Sequence, residues 1–264
     1  MNLQLKDKTA FISGSTSGIG FATAKALIKE GVNIIINGRT LQGVNDAIRK
    51  LKNEFTKASI EGIPADFSRQ EEIESLIKQL PDLDILINNV GIYKSGSFFE
   101  TSDEDWYDQF EINVMSGVRL SRYCLPKMLD NNWGRILFIS SECATLVPKD
   151  LIPYGMTKTA MLSISRGLAN LTKGTNVTVN SVLPGSTLSE GAEFFLKDVA
   201  LKEKKTIQEV EEEFFSDIRT SSLIQRFANV DEVANTIAYF ASPLSSATNG
   251  AAIKVDGGSI GGLL

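Results

Sequence analysis

The sequence predicts an α/β fold in which a seven-stranded parallel sheet is doubly wound by helices. Two observations predict it. Short β-branched apolar runs alternate with amphipathic stretches of helical period along the 264 residues. Most of the runs are also continuously apolar rather than alternating, as expected of parallel strands buried on both faces. The strands are expected at Thr9 to Ser13, Val32 to Asn37, Ser59 to Pro64, Leu83 to Asn88, Gly134 to Ser140, Val177 to Val182 and Ala251 to Val255. No linker, low-complexity tract or charge block divides the chain, so residues 1–264 are read as one domain.

The helices are expected between these runs. Gly18 to Lys29 stops at Gly31, which suits a helix C-terminus. Glu71 to Leu80 is followed by Pro81, and Asp103 to Leu129 opens on an acidic turn that complements a helix dipole. Right-handed βαβ crossovers then follow from the alternation. Residues 188–222 interrupt the rhythm. They are helical in pattern, charged, and punctuated by Phe194, Phe195, Phe214 and Phe215. Their position predicts a helical lid over the carboxyl edge of the sheet, where such folds hold ligands. A surface helix pair burying its aromatics on the body is the alternative.

Composition removes several function classes. A net charge of −5 argues against a nucleic-acid partner and offers no basic patch to a membrane. Apolar runs such as Ile34-Ile35-Ile36 are too short to span a bilayer, and Met1 to Asp7 contains no apolar signal core. Cys124 and Cys143 make neither a disulfide framework nor a zinc site, so a reducing cytoplasm is the expected setting. There is no histidine. A Ser-His-Asp triad, a histidine proton relay and a His-ligated metal are thereby excluded, and no metal site is expected.

Acid–base chemistry near neutral pH must therefore come from another tuned side chain. Tyr154 and Lys158 are four residues apart and share one face of a helix. There an ammonium favours the phenolate and draws a phenol of ordinary pKa about 10 downward. Ser141, thirteen residues before Tyr154, places a hydroxyl at the end of the fifth strand. Cys143 has no general base beside it in sequence and reads as a small packed residue.

The first strand runs into Gly14-Ser15-Thr16-Ser17-Gly18-Ile19-Gly20 and then a helix. That placement reads as a nucleotide-binding turn, with glycines allowing close backbone approach and the helix N-terminus facing phosphates.

Ser13-Gly14-x-x-x-Gly18-Ile19-Gly20 resembles the Thr-Gly-x-x-x-Gly-x-Gly signature of the short-chain dehydrogenase/reductase family. Asn88-Asn89-Val90-Gly91 is similar to its Asn-Asn-Ala-Gly, and Asn113 to its helix-borne asparagine. Ser140-Ser141, Tyr154-x-x-x-Lys158, Pro184-Gly185 and Asp256-Gly257-Gly258 follow in the family's order. The resemblance runs from about residue 5 to 259. Departures are Ser13 for threonine, Val90 for alanine, and Gly155-Met156-Thr157 for the commoner Ser-Ala-Ser; Gly155 should cost the helix up to about 1 kcal/mol relative to alanine.

The resemblance implies a Rossmann-type oxidoreductase in which Tyr154 exchanges a proton with the substrate oxygen and Lys158 tunes it and binds the nicotinamide ribose. It implies that Ser141 orients the substrate oxygen and that Asn113 holds a water linking Lys158 to solvent. Gly14, Thr16, Ser17, Gly18, Ile19 and Gly20 would meet the dinucleotide, with Asp66 and Phe67 at adenine. Asn89 and Gly91 would lie along the adenosine ribose and beyond. Pro184, Gly185, the Thr187 backbone and the Ser189 hydroxyl would meet the nicotinamide end.

Cofactor choice turns on Asn37-Gly38-Arg39-Thr40. Gly38 stands where an NAD-preferring member carries aspartate, and the Arg39 guanidinium suits a 2′-phosphate. NADP(H) is preferred, with NAD(H) the alternative. The expected reaction is hydride transfer between NADP(H) and a small-molecule carbonyl or secondary alcohol. The rival readings are an NAD-dependent dehydrogenase, a catalytically silent nucleotide sensor, and an epimerase or dehydratase using the same tyrosine. The family resemblance further implies a homodimer or homotetramer.

Overall fold

The computed structural model describes residues 2–262; Met1, Leu263 and Leu264, which the single-domain expectation includes, lie outside the described residues. All seven expected strands form. They are β1 (Thr9–Ile12), β2 (Asn33–Gly38), β3 (Ile60–Pro64), β4 (Ile85–Asn88), β5 (Gly134–Ile139), β6 (Val177–Pro184) and, after a short pair described below, β9 (Ala252–Val255). Every pairing is parallel and the spatial order is β3-β2-β1-β4-β5-β6-β9. The order reverses beside β1, where the crossover moves from one half of the sheet to the other. Ile12, the last residue of β1, is in register with both Ile36 and Ile87, and β2 and β4 continue past it to Gly38 and Asn88.

Helices cover both faces. On one side α1 (Gly18–Lys29), α2 (Leu41–Glu54) and α9 (Val230–Phe240) bury Leu27, Val44, Leu51, Val233 and Ile237 against Ile12, Ile34 and Ile87. On the other, α3 (Gln70–Gln79), α5 (Ser116–Asp130) and α6 (Ile152–Leu171) bury Leu76, Leu120, Met128 and Met161 against Phe11, Leu86 and Phe138. Alternate residues of one strand thus serve opposite cores, which is why the strand sequences are continuously apolar.

The expected helix from Asp103 to Leu129 is interrupted. It forms α4 (Asp103–Phe110), a π-helical turn at Glu111–Met115, and then α5. Ser102 and Asp105 close a capping box at its start. Residues 188–222 also differ in detail from the expectation. After the short strand β7 (Thr187–Leu188) come α7 (Glu190–Glu203), α8 (Ile207–Glu213) and a second π turn at Phe214–Ile218. β7 pairs in parallel with β8 (Ala228–Asn229), closing the excursion at its base. Leu196, Ala200, Val210, Phe215 and Phe227 form a core of their own beneath it. Phe214 stacks on Phe227 at 4.9 Å, whereas Phe194 stays exposed.

Arg135 anchors β5 from within the fold. It is 1% exposed, and among the described residues no carboxylate pairs with it. Its guanidinium donates to the carbonyls of Ser242, Gly134 and Asn176 and to the Ser246 hydroxyl. It also lies 4.8 Å from the Trp133 ring centroid. Burial draws its pKa down to about 10, which still leaves it charged at neutral pH. Arg135→Met should lower unfolding stability by about 2–4 kcal/mol, because it strands several buried carbonyls. Urea denaturation checks this, and a change below 1 kcal/mol would show that Arg135 is dispensable.

Candidate active site

Local geometry at the carboxyl edge begins with Ser13. Its hydroxyl accepts from the Asn89 and Val90 amides at 2.9 and 3.0 Å, tying the turn after β4 to the turn after β1. The Asn89 side chain returns the contact by donating to the Ser13 and Gly14 carbonyls. Asn37 fixes the other side by accepting from the Gly14 amide and donating to the Ile63 and Ala65 carbonyls. Gly14 and Gly18 adopt positive φ in this loop.

The proton-handling groups come from β5 and α6. Ser141 leaves the end of β5 in extended conformation, and its hydroxyl accepts from the Cys143 amide at 3.1 Å. Tyr154 and Lys158 both lie on α6, which crosses the strand end closely. A Cβ on Gly155 would stand 2.9 Å from the Cys143 carbonyl and 2.8 Å from a Val147 methyl. The helix-weakening glycine is therefore what lets α6 approach the turn carrying Ser141. Ser140 has a different task from its neighbour, donating to the Lys158 carbonyl at 2.9 Å and so tying α6 to β5.

The electrostatics differ from the sequence expectation. The Tyr154 side chain retains some exposure at the cavity but is densely surrounded, and burial pushes its phenol above the ordinary value. Neighbouring Cys143 adds to the rise, while a hydrogen bond with Ser141 opposes it. Lys158 Nζ lies 5.4 Å from the Tyr154 ring centroid and donates to the Ile139 carbonyl at 2.9 Å. Burial draws Lys158 down to about 8. The ammonium expected to depress the tyrosine is thus itself desolvated, and desolvation dominates both groups.

Asn113 occupies the π turn. Its amide oxygen accepts from the Ile92 amide at 2.7 Å, and its nitrogen donates to the Ile92 carbonyl and the Thr157 hydroxyl. Its side chain clasps the segment beyond Gly91 and joins it to α6. Thr157, which the sequence reading passed over, donates to the Tyr154 carbonyl as well as accepting from Asn113.

These groups open into a cavity of about 600 Å³ lined by Ile19, Asn89, Gly91, Ser141, Tyr154 and Lys158, with Pro184, Gly185, Thr187 and Ser189 opposite. Thr16 and Ser17 lie in the loop before α1 and Gly18 and Gly20 in its first turn; of this stretch it is Ile19 that lines the cavity. Several of the expected side chains also make local contacts. The Thr40 hydroxyl caps α2, and that of Ser189 caps α7. The Asp66 carboxylate accepts from the Ser68 amide and hydroxyl, and these hold its pKa down despite an opposing desolvation. The Phe67 ring is 2% exposed and packs in the core, which leaves backbone alone for any contact there. Arg39 is exposed. Next to it a Cβ on Gly38 would stand 2.4 Å from the Thr16 methyl, so an acidic side chain there would require Thr16 to move.

The N-terminus of α1 offers a backbone donor to negative charge. The Gly18 amide donates to a Glu190 carboxylate oxygen at 2.7 Å. Among the described residues, no cluster of His, Cys, Asp and Glu is arranged to hold a metal ion. No helix there is long and apolar enough to cross a membrane.

A parallel sheet with glycine-rich and Tyr-x-x-x-Lys elements at one edge defines a Rossmann-type oxidoreductase. The family model described as "short chain dehydrogenase" matches residues 8–200, and the chain belongs to that family. The chain is 45% identical over 260 residues to the uncharacterized oxidoreductase YvaG of Bacillus subtilis, covering 98% of each chain. It is 46% identical over 263 residues to YvrD of the same organism, covering 98% of this chain and 99% of the relative. Among solved structures, L-sorbose reductase from Gluconobacter frateurii, complexed with NADPH and L-sorbose, superposes with a TM-score of 0.93. Identity to it is 29% and coverage is 100% of both chains.

The depressed Lys158 pKa has a consequence for stability. The folded value, about 8, lies below the ordinary lysine value of 10.5, so charging Lys158 opposes folding. That cost is full below about pH 8 and disappears as pH rises towards 10.5. Lys158→Met should therefore raise stability at pH 7 by about 1–3 kcal/mol, and the gain should vanish by pH 10. Denaturant melts at both pH values check the sign; a destabilised variant at pH 7 would refute it.

Proposed function

We propose that the protein transfers hydride between NADP(H) and a carbonyl or secondary alcohol, with Tyr154 as the general acid and base. The observation that carries this reading is the convergence of Ser141, Tyr154 and Lys158 on one cavity beside the α1 loop. The dinucleotide supplies or accepts the hydride. In the reducing direction, Tyr154 gives its phenolic proton to the substrate oxygen as negative charge develops there. Burial that raises the phenol's pKa keeps it protonated and ready to donate. Ser141 donates to the same oxygen and stabilises its developing charge. Lys158, drawn down to about 8, is still protonated at pH 7 but gives up its proton more readily than an ordinary lysine, so it can return one to the tyrosine. Asn113 keeps the Ile92 backbone and Thr157 in place around them.

Supporting the choice of NADP(H) are the exposed Arg39, the absence of an acid at Gly38, and the NADPH in the similar L-sorbose reductase. The Pro184–Ser189 segment would hold the nicotinamide end, and residues 188–222 serve as the substrate lid. Phe195, Phe214, Ile218 and Arg219 of that lid line the cavity. The exposed Tyr107, Phe110 and Tyr123 on and beside α4 and α5 suit self-association as a dimer or tetramer.

Tyr154→Phe should lose turnover by about 10²–10⁴-fold, with NADPH affinity changed less than about threefold. A carbonyl panel followed by NADPH absorbance, with a fluorescence titration for binding, measures both; full activity in the variant would overturn the mechanism. Arg39→Ala should weaken NADPH about tenfold and leave NADH within about twofold. A wild type that prefers NADH would sink the cofactor reading. Glu190→Gln removes the carboxylate that holds the Gly18 amide and would oppose a pyrophosphate. It should tighten NADPH binding several-fold, most at low salt, and weaker binding would contradict that displacement.

A further inference from the structure

The cavity contains an ion pair that the proposed chemistry does not use. Glu142 follows Ser141 directly, starts the short 3-10 turn Glu142–Ala144, and is 3% exposed. One of its carboxylate oxygens accepts from Arg219 Nε at 2.8 Å and lies 3.5 Å from the Ser186 hydroxyl. The other, Oε2, is buried with no hydrogen-bond partner. Arg219 closes the π turn of the lid, with its side chain 12% exposed. Apart from the Glu142 contact its guanidinium interacts with the Cys143 thiol, makes a 3.4 Å bond to the Ile218 carbonyl and lies 5.8 Å from the Phe214 ring centroid. Both residues line the cavity with Ser141 and Tyr154.

The surroundings make this pair unusual. Ile92, Tyr93, Phe195, Phe214, Ile218 and Phe227 share the cavity wall with the pair, as do the charged Asp150 and Lys158, but among the described residues neither of those two forms a salt bridge, so Glu142 and Arg219 are the ion pair of the lining. Buried pairs contribute little stability over apolar groups of equal size. Leaving a carboxylate oxygen unpaired makes this one less favourable still. A buried acceptor without a donor, at the edge of a ligand cavity, is the complement of a donor carried by the ligand. The terminal torsion of glutamate is broad, so a modest rotation turns Oε2 towards the cavity.

The ligand chemistry follows from the pair taken together. It offers an unfilled acceptor on Glu142 beside further N–H donors on Arg219, and its charges cancel. A hydroxyl, which donates and accepts, satisfies both. A carboxylate would be drawn to Arg219 but opposed by Glu142, and a plain alkyl group would leave Oε2 unpaired. We propose, building on the hydride-transfer reading above, that Glu142 and Arg219 form a hydroxyl-recognition subsite that selects neutral carbonyl compounds bearing a hydroxyl beside the carbonyl. Glu142 and Arg219 are specificity residues here, acting through the substrate's hydroxyl while Tyr154 handles its reacting oxygen.

The test reads binding rather than turnover. Hexane-1,2-diol, hexan-2-ol and 2-hydroxyhexanoate are titrated calorimetrically into NADP⁺-loaded protein, and loading is confirmed for each variant. The diol should bind wild type at least about tenfold more tightly than either comparison compound. In Glu142→Gln the balance of charge is lost, and 2-hydroxyhexanoate should gain at least about tenfold on the diol. The double variant Glu142→Leu/Arg219→Met replaces the pair by apolar groups of similar size, which keeps the fold testable. Its preference for the diol over hexan-2-ol should fall below about threefold. Equal binding of diol and hexan-2-ol by wild type, or an undiminished preference in the double variant, overturns the subsite. A protein that binds the diol selectively yet oxidises none of the three would refute the hydride-transfer reading while leaving the subsite standing.

Discussion

Parallel pairing obliges every strand of the sheet to deliver its carboxyl end to the same edge, and the rest of the molecule is arranged around that constraint. The central strands β1, β4, β5 and β6 bury nearly all their side chains in the two cores, away from the cavity. The candidate functional groups therefore lie on the turns that leave the edge and on the helices packed beside them. Each turn is then fixed to its neighbour by a small polar side chain. Ser13 binds the turn after β4, Asn37 the turn after β1, and Ser140 the helix after β5. These contacts are short-range and buried, which makes the edge a rigid platform rather than a set of independent loops.

On that platform, desolvation outweighs charge pairing. Lys158 and Tyr154 are near each other, yet both are shifted in the direction that keeps them neutral. The pair is therefore ready to hold a proton in the phenol and to lose one from the amine, a division of labour set by the walls rather than by mutual attraction. Arg135 is desolvated in the same direction but is held by more acceptors. It is buried as deeply, but several carbonyls surround it and its depressed pKa still leaves it charged.

Much of this was legible in the sequence. Continuous runs such as Ile34-Ile35-Ile36 located the strands because burial on both faces removes polar alternation, and ends shifted by only one or two residues. The glycine, Ser141 and Tyr-x-x-x-Lys elements were legible because each uses residues adjacent along one turn or one helix face. What escaped notice depends on contacts distant in sequence or on helix phase. Glu142 and Arg219 are 77 positions apart, and neither is unusual in its own neighbourhood. Glu190 meets Gly18 across 172 positions. The hydrophobic period of residues 103–129 is too coarse to register one extra residue, so the π turn read as continuous helix. The direction of the Tyr154 shift was misjudged because helical spacing gives proximity but says nothing of how much water remains.

That π turn carries a further consequence. An α-helix advances each residue by about 100° around its axis, and a π turn absorbs one residue beyond the regular count. Asn113 faces Ile92 and Thr157 only because the extra residue is accommodated within Glu111–Met115. Excising any one residue there would restore an unbroken α-helix of better intrinsic geometry. The same excision would swing Asn113 or its replacement about a quarter-turn away from the segment it clasps. Regularity of the backbone and attachment of the active-site loop are thus mutually exclusive at this point, and the chain adopts the less regular helix in order to keep hold of the loop.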